Sequence, residues 1–186
     1  MKSAAFLLVF LAVSAAANPF TDFYNKATAV ERADAQGKRE EAARLLATLV
    51  PPERLQRAER VDAFLKRAEL RAKLGQFARA EEDIRTALTA APGDYQALCV
   101  LTQFLRERSR LADSLETGNQ LVAVTAGIPA HNRTEKWLQR GETLMRLERF
   151  DEAEADIANA LRDKPADVPS LWLMVQAGLR RGDARR

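Results

Sequence analysis

The chain has 186 residues, of which 47% are hydrophobic, 6% aromatic and 30% charged, with 29 basic residues against 26 acidic ones. Such a small imbalance, without a basic stripe interleaved with aromatics, argues against nucleic-acid binding. One cysteine and one histidine exclude an intramolecular disulfide and a histidine-rich metal site.

In chain order, Met1-Lys2 precedes the apolar run AAFLLVFLAVSAAA, which ends at the small residues Ala15 and Ala17, and Asn18-Pro19 then stops a helix. A positive start, an apolar run shorter than the roughly 20 residues of a membrane span, and an A-x-A site predict a secretory signal over 1–17. A retained membrane anchor is the alternative; after cleavage no membrane insertion is expected. No cysteine follows the run, which argues against a lipoprotein anchor. The Ala- and Arg-rich composition places a bacterial periplasm ahead of a eukaryotic secretory route.

The remainder, 18–186, is expected to be all-α. A first unit over about 23–52 runs from Tyr24 to Gln36, turns at Gly37, and continues through Ala42, Leu45, Leu46 and Leu49 to Pro51-Pro52. The second unit, 53–94, opens on polar length from Glu53 to Arg60, read as an early helix start because proline is tolerated in a first turn. Within it, Leu74 to Asp94 repeats without gaps as Leu147 to Asp167. Phe77/Phe150, Ala80/Ala153, Ile84/Ile157, Ala87/Ala160 and Leu88/Leu161 fall at spacings of three and four, one face of a helix. Pro92 and Pro165 close the copies. Upstream, Phe64, Leu65, Ala68 and Glu69 align with Trp137, Leu138, Gly141 and Glu142, so each unit is two helices with Gly75 or Glu148 in the turn. A degenerate third unit, 95–129, carries Leu98, Leu101 and Leu105, then Leu111, Leu115, Leu121 and Val122, with Ser114 in the small-residue position. The fourth spans 130–167. A terminal helix over 168–181 carries Leu171, Leu173, Val175 and Leu179, with Arg181-Gly182-Asp183 expected at its turn.

Trp137, Gly141, Leu144, Phe150, Ala153, Ile157, Ala160 and Pro165 together resemble the tetratricopeptide repeat family. The resemblance implies an α-solenoid of stacked antiparallel helix pairs, a TPR-like superhelix in which small residues let backbones approach and large ones fill the space between. Arg67 and Arg140 stand where the family prefers leucine, and Arg71 where an aromatic is usual.

The inventory is poor for an enzyme, and no cofactor, metal or catalytic residue is expected. Only Cys99 with His131 could support thiol nucleophilic catalysis, and no signature places them together; Cys99 reads first as a small semi-buried residue. Asp62 with Lys66, Glu69 with Lys73, Glu81 with Arg85 and Glu142 with Arg146 have the spacing of surface helix pairs. Asn132-Arg133-Thr134 is a glycosylation sequon in a eukaryote and a helix start in a bacterium. The resemblance further implies a concave groove lined by the first helices. By register its candidates are Asp62, Leu65, Glu69 and Ala72, then Gln96, Cys99, Gln103 and Arg106, then Glu135, Leu138, Glu142 and Met145. This set lacks the Lys/Asn/Arg clamp for a terminal carboxylate, and acids at 69 and 142 would repel one; an internal segment or a folded protein is the expected partner. The expected function is a non-catalytic scaffold for a peptide or protein in the cell envelope or outside the cell. A protein self-associating through its C-terminal helix, or a non-catalytic subunit of an envelope complex, is the alternative.

Overall fold

The computed structural model describes residues 18–49, 51–124 and 134–184. The expected leader at 1–17 and His131, Asn132 and Arg133 lie outside them. Nine α-helices form among the described residues, and the fold is an all-α helical repeat. They divide into two compact units, Met1–Ala90 and Ala91–Arg186.

The first unit holds α1 (Pro19–Ala35), α2 (Arg39–Ala47), a 3-10 turn (Pro52–Arg54), α3 (Arg57–Lys73) and α4 (Phe77–Ala90). Asn18 caps α1 by accepting from Phe20 N–H at 3.1 Å. The polar stretch after Pro52 is not an early start of α3. The 3-10 turn ends at extended Leu55, whose side chain joins the core, and α3 begins only at Arg57. Glu59 there reaches back to accept from Gln56 N–H at 3.2 Å. The core joins Phe23, Ala27, Val30 and Ala33 of α1 to Ala42 and Leu46 of α2 and to Ala63 and Leu70 of α3.

The second unit holds α5 (Tyr95–Glu107), α6 (Leu111–Ala123), α7 (Glu135–Arg146), α8 (Phe150–Asp163) and α9 (Val168–Ala184). Its core brings Leu144 and Met145 of α7 against Ala153 and Ile157 of α8 and Ala177 of α9. Ser114, in the small-residue position of α6, is fully buried. Its hydroxyl meets Thr102 O and the Thr143 hydroxyl, each at 2.9 Å, a polar seam joining α5, α6 and α7. Gly118 lets α6 lie close on α7, because an added Cβ would stand 3.2 Å from Arg140 Cγ.

Each helix pair turns through one residue in the left-handed region: Gly37, Gly75, Ser109 and Glu148. In each, the N–H three residues past the helix returns to a carbonyl in its last turn, as Arg149 N does to Leu144 O at 3.0 Å. Glycine does this without steric cost in the first unit, whereas Ser109 and Glu148 hold the same shape with a side chain. Arg181-Gly182-Asp183 is not at a turn; α9 runs through it to Ala184. Arg181 holds α9 onto α8 by donating to Glu154 at 2.5 Å.

Candidate functional site

The two arginines that replace family leucines are not exposed oddities. Arg67 Nε lies 3.2 and 3.0 Å from the two oxygens of buried Asp83, and Nη2 donates to one of them at 2.6 Å. Arg140 grips buried Asp156 in the same bidentate way, at 2.7 and 2.6 Å. Each guanidinium also lies over the aromatic ring three residues earlier, Phe64 at 5.4 Å and Trp137 at 5.7 Å. Arg71 adds a second guanidinium to Asp83 at 2.7 Å, and burial draws its pKa down. The hydrogen bond to Asp156 holds that of Arg140 up. These modules tie the first helix of a pair to the second and leave the outer face of the first helix for other contacts.

On that face in the first unit, Asp62 and Glu69 are exposed and Ala72 half-buried, while Leu65 is only 6% exposed. Glu69 is paired with Lys73 at 2.6 Å and Lys66 at 3.0 Å, and Lys66 also reaches Glu31 of α1 at 2.7 Å. Burial works against the charge on Glu69, yet the two lysines hold its carboxyl below the usual range.

In the second unit Gln96 and Gln103 are exposed, Cys99, Glu135, Leu138 and Glu142 half-buried, and Arg106 and Met145 buried. Burial pushes the Cys99 thiol up to about 11, against a hydrogen bond with Tyr95 that favours the thiolate, so Cys99 is no ready nucleophile. Arg106 crosses from α5 to α7, donating to the Gln139 carbonyl at 3.0 Å and its side-chain oxygen at 2.9 Å and meeting Glu142 at 2.5 Å. Glu142 therefore pairs with Arg106 of another helix as well as standing one turn from Arg146. Arg146 in turn donates to Arg106 O at 2.8 Å.

These groups form one wall of a cavity of about 420 Å³ between α5, α7 and α9. Arg106, Glu142, Met145 and Arg146 face Trp172, Leu173 and Arg180 across it. The structure thus brings together Arg106, Glu142 and Met145 from the candidate set and adds Trp172 and Arg180, which lie on the terminal helix and outside the register used to choose candidates. Trp172 was the available signal, a lone large aromatic in a helix that otherwise carries aliphatic residues. No group of three or more potential metal ligands occurs among the described residues, and none of their helices is long and apolar enough to cross a membrane.

A family model for the tetratricopeptide repeat matches residues 65–129 and 138–185. The chain belongs to the tetratricopeptide repeat family. Solved structures repeat the fold at low identity. Nearly identical TPR-like repeats from Podosopora anserina, named for a kinesin light chain, are 15% identical with a TM-score of 0.72, covering 90% of each chain. MamA from Desulfovibrio magneticus RS-1 is 16% identical with a TM-score of 0.64, covering 88% of each. The first TPR of Spaghetti (RPAP3), solved bound to an HSP90 peptide, is 15% identical with a TM-score of 0.57, covering 66% of this chain and 93% of its own. No curated protein matches the sequence.

Proposed function

We propose that this tetratricopeptide repeat protein is a non-catalytic scaffold that presents the outer faces of its first helices to a peptide or protein partner outside the cytosol. The carrying observation is the cavity between α5, α7 and α9, where an arginine–glutamate pair, two further arginines and a tryptophan meet on one face. A concave site with a few convergent polar groups is where a ligand is expected. The Spaghetti repeats, which share the fold and hold a peptide, support peptide recognition here. The apolar leader over 1–17 supports export to a bacterial envelope. Photo-crosslinking of the full chain in cells tests the reading. A benzophenone side chain at exposed Gln96 or Gln103 should give partner adducts, and one at exposed Thr89 or Ala158 of the second helices should not. Even labelling of all four positions, or none, would sink it.

A second reading is favoured by α9, whose Val168, Leu171, Trp172, Val175 and Leu179 form an exposed apolar stripe, with Val168 73% and Leu179 66% exposed. Apolar patches of this kind mark interaction surfaces, and a second copy of the chain is one occupant. Adducts between two copies of this protein, in place of a partner, would select it.

A further inference from the structure

We propose that α9 pairs antiparallel with α9 of a second copy of the chain, along a seam of Val168, Trp172, Val175 and Leu179. This deepens the self-association reading and rests on it. Those four are the most exposed large apolar side chains among the described residues, between 54% and 73% exposed. Their spacings are four, three and four, the alternation by which one helix sets its side chains between those of another. A face turned to a single core is broader, and an interfacial membrane helix carries a basic face opposite its apolar one. In α9 the opposite face is already packed, with Ser170 and Ala177 fully buried. The spacing is also the same in both directions along the helix. A two-fold axis between Leu173 and Met174 therefore sets Val168 level with Leu179 and Trp172 level with Val175, large against small. Leu171, 45% exposed, then faces Gly178 of the other copy, where an added Cβ would meet nothing within 4 Å. The positions beside the seam, Pro169, Leu171, Gln176 and Gly178, carry no charge, so two copies meet without repulsion. A parallel pair would instead put Trp172 on Trp172 and gather Arg180 and Arg181 of both copies at one end. Antiparallel packing holds those basic ends apart. The stripe offers on the order of 500 Å² of apolar surface, below the about 800 Å² per partner of a standard stable interface. The contact is accordingly a reversible one.

Light scattering of the full chain over about 5–500 µM, the range in which a contact of this size associates, should show a monomer–dimer equilibrium. Val175→Glu should weaken dimerisation by about 10-fold or more, because each copy would bury an unpaired carboxylate. Val175 is exposed in the single chain, so the variant should keep its helicity; if it does not, Leu179→Glu at another exposed seam position takes its place. Orientation is read from V168C and L179C, each carrying C99S and one of them tagged, mixed and oxidised. Disulfides should join V168C to L179C in about 10-fold excess over like-with-like pairs, since only cysteines brought within bridging distance can bond. An excess of like-with-like pairs would overturn the antiparallel seam and leave self-association standing. A dimer that both glutamate variants leave unchanged overturns the contact. A monomer at every concentration overturns it and removes the self-association reading as well, and adducts at Gln96 or Gln103 then decide the scaffold alone.

Discussion

Arg140 and Asp156 show how one residue exchange asks for another. A leucine at position 140 would need only apolar neighbours, whereas a guanidinium there must be paired, because an uncompensated charge away from water is costly. Asp156 supplies two short hydrogen bonds and is itself almost fully buried. Neither partner is tolerable alone, and the pair together has little advantage over a well-packed apolar contact. Asp156→Ala should therefore destabilise the chain by about 1–3 kcal/mol, because the half-buried Arg140 loses its bidentate partner and keeps its bond to Asn119 at 3.0 Å. Arg140→Leu/Asp156→Ala should recover at least half of that loss in urea unfolding. Equal losses in the single and double variants would show that the pair is not coupled. The pairing was invisible to a search along one helix, since sixteen positions separate the partners. It was nonetheless written in the repeat: Arg67 and Asp83 recur in register as Arg140 and Asp156.

Helix boundaries were legible wherever the chain carries its own stop or start signal. Gly37 and Gly75 turn as expected, and the aspartates that close the two copies, Asp94 and Asp167, both cap the helix that follows. Illegible were the boundaries set by neighbours. Leu55 interrupts the polar stretch before α3 because its side chain is drawn into the core, and Gly182 stays helical because Arg181 is tied to α8. Asp167 also carries a pH dependence. It accepts from the Ser170 hydroxyl at 2.6 Å and from Ser170 N–H at 3.0 Å. The Ser170 hydroxyl bond, chiefly, holds its carboxyl below the usual range, with burial opposing and Lys164 assisting. A carboxyl whose folded pKa is depressed contributes stability above its unfolded pKa of about 3.9, and that contribution is lost as pH falls through the folded value. Asp167→Ala should cost about 1 kcal/mol at neutral pH and flatten the fall in stability below about pH 4. Urea midpoints compared at pH 7 and in acid read this directly; an undiminished acid sensitivity in the variant would assign the effect to other carboxylates.

At the scale of the molecule, the repeat made the fold legible because a helix pair cannot bury its apolar face alone and must signal its neighbours at a fixed period. The candidate site was less so. Its register named Arg106, Glu142 and Met145, but the opposing wall comes from α9, where the repeat pattern sets only the buried side. In repeat proteins each element is stabilised chiefly by the elements it touches, which makes local stability uneven. Helix α9 rests on α8 and touches α7, and it leaves five large apolar side chains exposed. Buried Ala153, Ile157 and Ala160, by contrast, tie α8 into the core along its whole inner face. In dilute solution the amides of α9 should thus exchange with deuterium about 10-fold faster than those of α8. If a second copy covers the apolar stripe, protection of α9 should rise with protein concentration while that of α8 stays constant, because binding stabilises only what it orders. Protection of α9 that matches α8 at every concentration would contradict the uneven stability, and a difference that never changes with concentration would remove self-association through this helix.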